Sequence, residues 1–191
     1  GLIEAAFDNQ FDPTFISMRD IAPYWGTYVY QNAVNKILAI YNPDDLYVYK
    51  LTGRMYDKYV SSSQILDQYA PALLGYPTGD RMSAAKFEPF DTGGDFQQFT
   101  NGTMYKVSRF LWPDDIYIVI GSLNEEHNNQ GGTAGFGFPE NDPQWSGIAP
   151  GNVFQNFQSG KKIRATLNSA EVPEIADGSI VIIPINKFFG Q

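Results

Sequence analysis

Two stretches of this chain carry nearly the same local instructions, and that duplication limits the folds open to it. Leu74-Gly75-Tyr76-Pro77 returns as Phe136-Gly137-Phe138-Pro139, 62 residues on when counted from 74 to 136. Phe96-Gln97-Gln98-Phe99-Thr100-Asn101-Gly102 returns as Phe154-Gln155-Asn156-Phe157-Gln158-Ser159-Gly160. A third phrase, Asn42-Pro43-Asp44-Asp45-Leu46-Tyr47-Val48, is answered by Trp112-Pro113-Asp114-Asp115-Ile116-Tyr117-Ile118. Self-similarity at such a period marks supersecondary units that bury their apolar faces against one another. It points to a module presenting a surface, and away from a single catalytic pocket.

One unit is expected to contain a hairpin, a turn, a strand and a helix. Asn101-Gly102 is a strong hairpin signal because both residues tolerate positive φ, and Ser159-Gly160 fills the same place. The Pro-Asp-Asp turn leads into a β-branched and aromatic strand, Ile116 to Ile120. After Gly53, the residues Met55, Tyr56, Tyr59 and Val60 form one apolar helical stripe, running into the Gly-aromatic-Pro turn. The fold class is therefore α+β, a pseudo-symmetric repeat domain whose units each pair a short helix with a small antiparallel β-hairpin. Residues 1–40 are read as an N-terminal capping segment, with a hairpin from Thr27 to Tyr41. Residues 41–191 form the repeat region. Two clear copies fall at about 45–105 and 112–165, and a degenerate third at 166–191, where the Gly178 segment reads as strand.

Gly121-Ser122-Leu123, Gly131-Gly132, Phe136-Gly137-Phe138-Pro139 and the later Phe-x-x-Gly hairpin follow in a familiar order. So do Gly53, Tyr59, Leu74-Gly75-Tyr76-Pro77 and Phe99-Thr100-Asn101-Gly102. Over roughly residues 45 to 165 the chain resembles the LGFP repeat, named for its Leu-Gly-Phe-Pro turn. The resemblance implies a ring of helix-plus-hairpin units. It also implies a non-catalytic secreted module that holds cell-wall enzymes to envelope polysaccharide. Two good copies and long insertions after each Pro turn depart from that pattern.

Charge narrows the partners. A net charge of -8 disfavours nucleic acid, whose phosphates must be neutralised by Lys and Arg. It equally disfavours an anionic membrane surface. No apolar run approaches the roughly 20 residues that span a bilayer, so membrane insertion is not expected. With no cysteine, thiolate metal sites and disulfides are excluded.

Candidate chemistry is sparse. His127 is the only histidine, but it lies six residues after Gly121 as Tyr59 lies six after Gly53, which assigns it an inward aromatic slot. On that reading His127→Phe is tolerated or stabilising. No Ser or Cys motif supplies a nucleophile for it. Asp44-Asp45 and Asp114-Asp115 are adjacent pairs that serve a turn better than a shared substrate atom. Asp91-Thr92-Gly93-Gly94-Asp95 does not fit a calcium loop, and the Gly131–Gly137 stretch lacks the Lys-Ser/Thr of a phosphate loop.

Sugar recognition needs an exposed aromatic face with carboxylates or amides beside it. Trp112, Asp114, Asp115, Tyr76 and Trp145 are the expected ligand-binding residues, with Gln98 and Asn156 alternating with the buried Phe of their hairpins. The expected function is binding of extracellular or cell-envelope polysaccharide without turnover, by a secreted or cell-surface protein requiring no cofactor and no metal. The alternative is a structural or assembly subunit of a surface layer, filament or virion, packing against copies of itself or within a larger parent protein. A glycan hydrolase ranks third, because no acid pair is suitably placed.

Overall fold

The computed structural model describes residues 29–108, 113–146, 152–166 and 180–184. The capping segment read at the N-terminus and Trp112 lie outside the described residues, apart from the hairpin that ends at Tyr41.

The architecture is mixed α and β, with short helices between three small sheets. The first sheet has the order β1 (Val29–Asn32), β2 (Ile37–Tyr41), β3 (Val48–Thr52), all antiparallel. The second runs β4 (Met82–Ser83), β5 (Gly93–Phe99), β6 (Gly102–Ser108), β7 (Asp115–Ile120), again antiparallel. The third is β8 (Gln144–Ser146), β9 (Asn152–Asn156), β10 (Lys162–Thr166), β11 (Ile180–Pro184), in which β11 pairs parallel to β10. β2 crosses residue 40 and pairs with β3, so the expected end of the capping segment falls inside a strand.

Helix α1 (Gly53–Tyr59) follows β3 and packs between the first and second sheets; α2 (Ala70–Leu74) packs on the second. Helix α3 (Gly121–Asn129) follows β7 and packs between the second and third sheets, with α4 (Gly132–Phe136) against it. The middle sheet is thus covered on both faces. That explains why β7 reads as an unbroken apolar run, as strands buried on both faces do. Ile118 faces one side and Val119 the other, and both are fully buried.

The helical stretch after Gly53 is not continuous. α1 ends at Tyr59, a loop through Ser61, Ser62 and Ser63 intervenes, and α2 is a separate turn of helix opened by Pro71. Serine side chains compete for backbone hydrogen bonds, and Ser61 Oγ accepts from Ser63 N–H at 3.1 Å. Pro71 takes an early helical position, where its missing N–H costs nothing.

Candidate functional site

Each Gly-aromatic-Pro turn is built from the same hydrogen bonds. In the first, Gly75 N–H donates to Pro71 O (2.9 Å), Thr100 N–H to Tyr76 O (2.8 Å) and Thr78 N–H to Gln98 O (3.0 Å). In the second, Gly137 N–H donates to Thr133 O (3.1 Å), Gln158 N–H to Phe138 O (3.0 Å) and Glu140 N–H to Asn156 O (3.0 Å). Pro77 bridges to Phe99 and Pro139 to Phe157. Gly75 (φ 75, ψ -151) and Gly137 (φ 84, ψ 174) sit in a backbone region that is essentially glycine's alone.

His127 is completely buried beneath this turn. Its Nε2 lies 2.9 Å from Gly137 O, and its ring stacks on Phe157 at 4.9 Å and 16°. Tyr59 does the equivalent with Gly75 O (3.0 Å) and Phe99 (5.6 Å, 24°). The carbonyl can only accept, so Nε2 carries the proton, and Nδ1 accepts from Tyr105 O–H at 3.4 Å. Burial lowers the His127 pKa, against a smaller raising effect of the Gly137 bond. Both ring nitrogens are occupied in a dry site, which leaves no lone pair for a substrate. The bond to Gly137 O also corrects the expectation for His127→Phe: phenylalanine fills the slot but leaves that carbonyl without its donor.

A second buried group links the layers. Gln97 Nε2 donates to Gly79 O (2.9 Å) and Lys50 O (3.4 Å); Gln155 Nε2 donates to Asn141 O and Ile118 O, both at 2.7 Å. Both glutamines are fully buried, sharing a strand face with Phe99 and Phe157 respectively. Gln98 and Asn156 alternate with the buried Phe99 and Phe157 as expected: Gln98 is exposed, on the opposite face with Phe96, and Asn156 is half-buried on the face of Phe154. Two Phe three residues apart on a strand cannot share a face, and the one that meets the Pro turn takes the core.

The first Pro-Asp-Asp segment is a closed turn. Asn42 N–H donates to Tyr47 O (2.8 Å) and Leu46 N–H to Asn42 O (3.0 Å). Asp45 accepts from Tyr47 N–H (2.9 Å), Tyr49 O–H (2.7 Å) and Asn42 Nδ2 (3.3 Å), so its carboxylate is spent inside the turn. Asn42 Nδ2 also reaches Pro77 O at 3.1 Å, joining this turn to the Gly-Tyr-Pro turn. The Tyr49 hydroxyl is pushed up to about 12, first by its bond to Asp45 and then by burial. At the tip, Leu46 adopts a left-handed φ of 66, and Tyr47 is 64% exposed with its ring 6.4 Å from Tyr49. The sequence expectation singled out the other copy and missed Tyr47. The available signal is Asn42, which stands where the second copy has Trp112 and whose side chain can close an Asx turn.

The expected ligand residues are dispersed in role. Asp114 pairs with Lys106 at 2.9 Å, and Lys106 also lies 3.8 Å from Asp95, which Arg81 flanks. Asp115 opens β7 opposite Val107. Tyr76 is half-buried against the core. Trp145, on β8, also packs against the core, and its Nε1 donates to Asp67 at 3.0 Å. Beside it Asp142 accepts from Lys58 and from Ile118 N–H (3.0 Å). Trp145 and Asp142 thus fasten the loop after the second Pro turn to the helical segment after β3.

Among the described residues no three carboxylates or imidazoles converge as a metal site would need, and no helix is long and apolar enough to cross a membrane. The chain matches no protein-family model and no curated protein.

Proposed function

We propose that this protein is a non-catalytic binding module for an extracellular or cell-envelope polysaccharide, built as a pseudo-symmetric array that resembles the LGFP repeat and acts outside the cell. The observation that carries this is the exposed Tyr47 ring, held beside Tyr49 at the end of a strand by a turn whose polar groups are already satisfied. A fixed, solvent-facing aromatic offers its face to the apolar side of a sugar ring at little entropic cost. Asp44, exposed in the same turn, supplies a carboxylate for ring hydroxyls. In the sequence, Trp112, Asp114 and Asp115 stand where the first copy has Asn42, Asp44 and Asp45. The non-catalytic reading rests on His127, Asp45 and Asp114, each engaged within the protein.

The test is retention on insoluble cell-wall material and on a glycan array, with Tyr47→Ala as the comparison. Loss of one stacking contact of about 1 kcal/mol should weaken binding several-fold without changing the melting temperature. A protein that binds no glycan, or a folded Tyr47→Ala variant that binds as tightly as the parent, overturns the proposal. Release of reducing sugar on incubation overturns its non-catalytic part.

A further inference from the structure

The second and third sheets differ at two cross-strand pairs. In the second sheet Phe96 faces Tyr105 across β5 and β6, with rings 6.2 Å apart, and Gln98 faces Thr103. That surface receives α3 and the Pro turn beyond it, since Tyr105 meets His127 at 5.6 Å and Phe138 at 6.2 Å. In the third sheet Phe154 faces Arg164 and Asn156 faces Lys162. The phenylalanine is kept, but the apolar strand opposite it has become cationic. Three of the chain's 13 Lys and Arg fall within residues 161–164, in a protein that is acidic overall.

Among the described residues no carboxylate lies within ion-pair distance of Lys161, Lys162 or Arg164. Lys162 Nζ sits 5.0 Å above the Phe154 ring and Lys161 Nζ 5.3 Å above Phe136. The Nε of Arg164 is buried and has no hydrogen-bond partner. An orphaned donor on a charged group is costly and marks a place where the described residues leave a polar group unsatisfied. A guanidinium is matched in geometry by the two oxygens of a carboxylate or phosphate.

We infer that this face of the third sheet, formed by Phe154, Asn156, Lys162 and Arg164, is an oxyanion site that takes the acidic groups of a charged glycan. The Arg164 guanidinium and Lys162 Nζ donate to the oxyanion, and Asn156, opposite Lys162, offers an amide for neighbouring hydroxyls. The glycan as the source of the oxyanion rests on the proposed function; the oxyanion site does not. The net negative charge elsewhere on the protein is screened beyond a Debye length of about 8 Å at physiological salt, so a local cationic face remains effective.

The experiment measures binding of the full chain to polygalacturonate, to neutral dextran and to inorganic phosphate, alongside Arg164→Gln and Lys162→Gln variants checked for an unchanged melting temperature. The expected result is retention on polygalacturonate that falls about tenfold in Arg164→Gln, as loss of a charge-assisted bond implies, and that weakens with added salt. Lys162→Gln should show a smaller loss. Phosphate binding that needs Arg164, with no glycan bound at all, keeps the oxyanion site and overturns the glycan reading. Glycan binding that depends on Tyr47 but is indifferent to both cation variants keeps the glycan reading and overturns this site. Equal retention on dextran and polygalacturonate also overturns it. So does a dimer in light scattering that Arg164→Gln dissociates, which would make this a face between copies of the chain.

Discussion

In the segment from β3 to β6 a tyrosine ties the helix to the glycine turn; in the segment from β7 to β10 a histidine does. Tyr59 and His127 each donate to a glycine carbonyl and each stack on the phenylalanine that the Pro turn meets. The rings differ in size, and the second segment is closed more tightly, with centroids 4.9 Å apart against 5.6 Å. What the two segments share is a donor at one place and a flat ring at another, and the residue type is free to vary around that. A lone histidine in a sequence draws a catalytic reading, yet here it holds a turn.

The glycine turns give the largest expected effects in both segments. A Cβ at Gly137 would lie 2.9 Å from Gln158 Cβ and 3.1 Å from Ser159 N, while one at Gly75 would meet Thr100 Cβ at 3.1 Å. Both residues hold a backbone conformation that costs an L-residue about 1–3 kcal/mol before any clash. Gly137→Ala should therefore destabilise by about 4 kcal/mol and Gly75→Ala by about 3 kcal/mol, the overlap adding to the backbone cost. Chemical denaturation of the two variants checks the order. Equal stability of Gly137→Ala and the parent would show that the second turn does not hold the geometry described.

The glutamine clamps come next. Replacing Gln155 by Leu leaves Ile118 O and Asn141 O without the donor they share, and should cost about 2 kcal/mol. Gln97→Leu removes one comparable and one longer bond, at 2.9 and 3.4 Å, and should cost about half as much. Each glutamine also buries an unpartnered Oε1, which leucine removes, so neither loss approaches that of the glycine variants. If Gln97→Leu proves the more damaging, the comparison between the clamps is wrong.

Much of this was legible beforehand, for local reasons. Asn101-Gly102 and the Gly-aromatic-Pro turns announce themselves because few residues tolerate their backbone, and the inward position of His127 follows from its distance to Gly121. The buried role of Gln97 was not legible, because Phe96 and Phe99 give contradictory phases on a strand and only the bridge from Pro77 to Phe99 decides between them. The bond from Trp145 to Asp67 joins residues 78 apart, and no local pattern encodes it. At the candidate site, the aromatic-plus-Asp turn was visible as a motif. The exposure of Tyr47 was not, since that depends on Asn42 closing the turn. The cationic face of β10 was written in Lys161-Lys162-Ile163-Arg164, but its meaning needed the sheet register.

The smallest expected effect concerns pH and sharpens the comparison between Tyr59 and His127. Burial holds the folded-state pKa of His127 below its ordinary value near 6.5. The unfolded chain therefore binds the proton more readily, and the stability tied to neutral His127 is fully present above about pH 6.5. It declines as pH falls from there towards the folded pKa. No such decline is expected from the slot of Tyr59, which holds no imidazole, the side chain that ordinarily changes charge between pH 5 and 8. His127→Phe should be less stable than the parent by about 1 kcal/mol at pH 8, for want of the bond to Gly137 O, and the deficit should shrink as the pH drops below 6.5. Tyr59→Phe should cost a similar amount at every pH in that window, because its lost bond carries no titrating proton. Melting temperatures of the three proteins between pH 5 and 8 decide the matter. Parallel curves for the parent and His127→Phe would mean that the imidazole does not titrate below its ordinary range and that burial is not what sets its proton affinity.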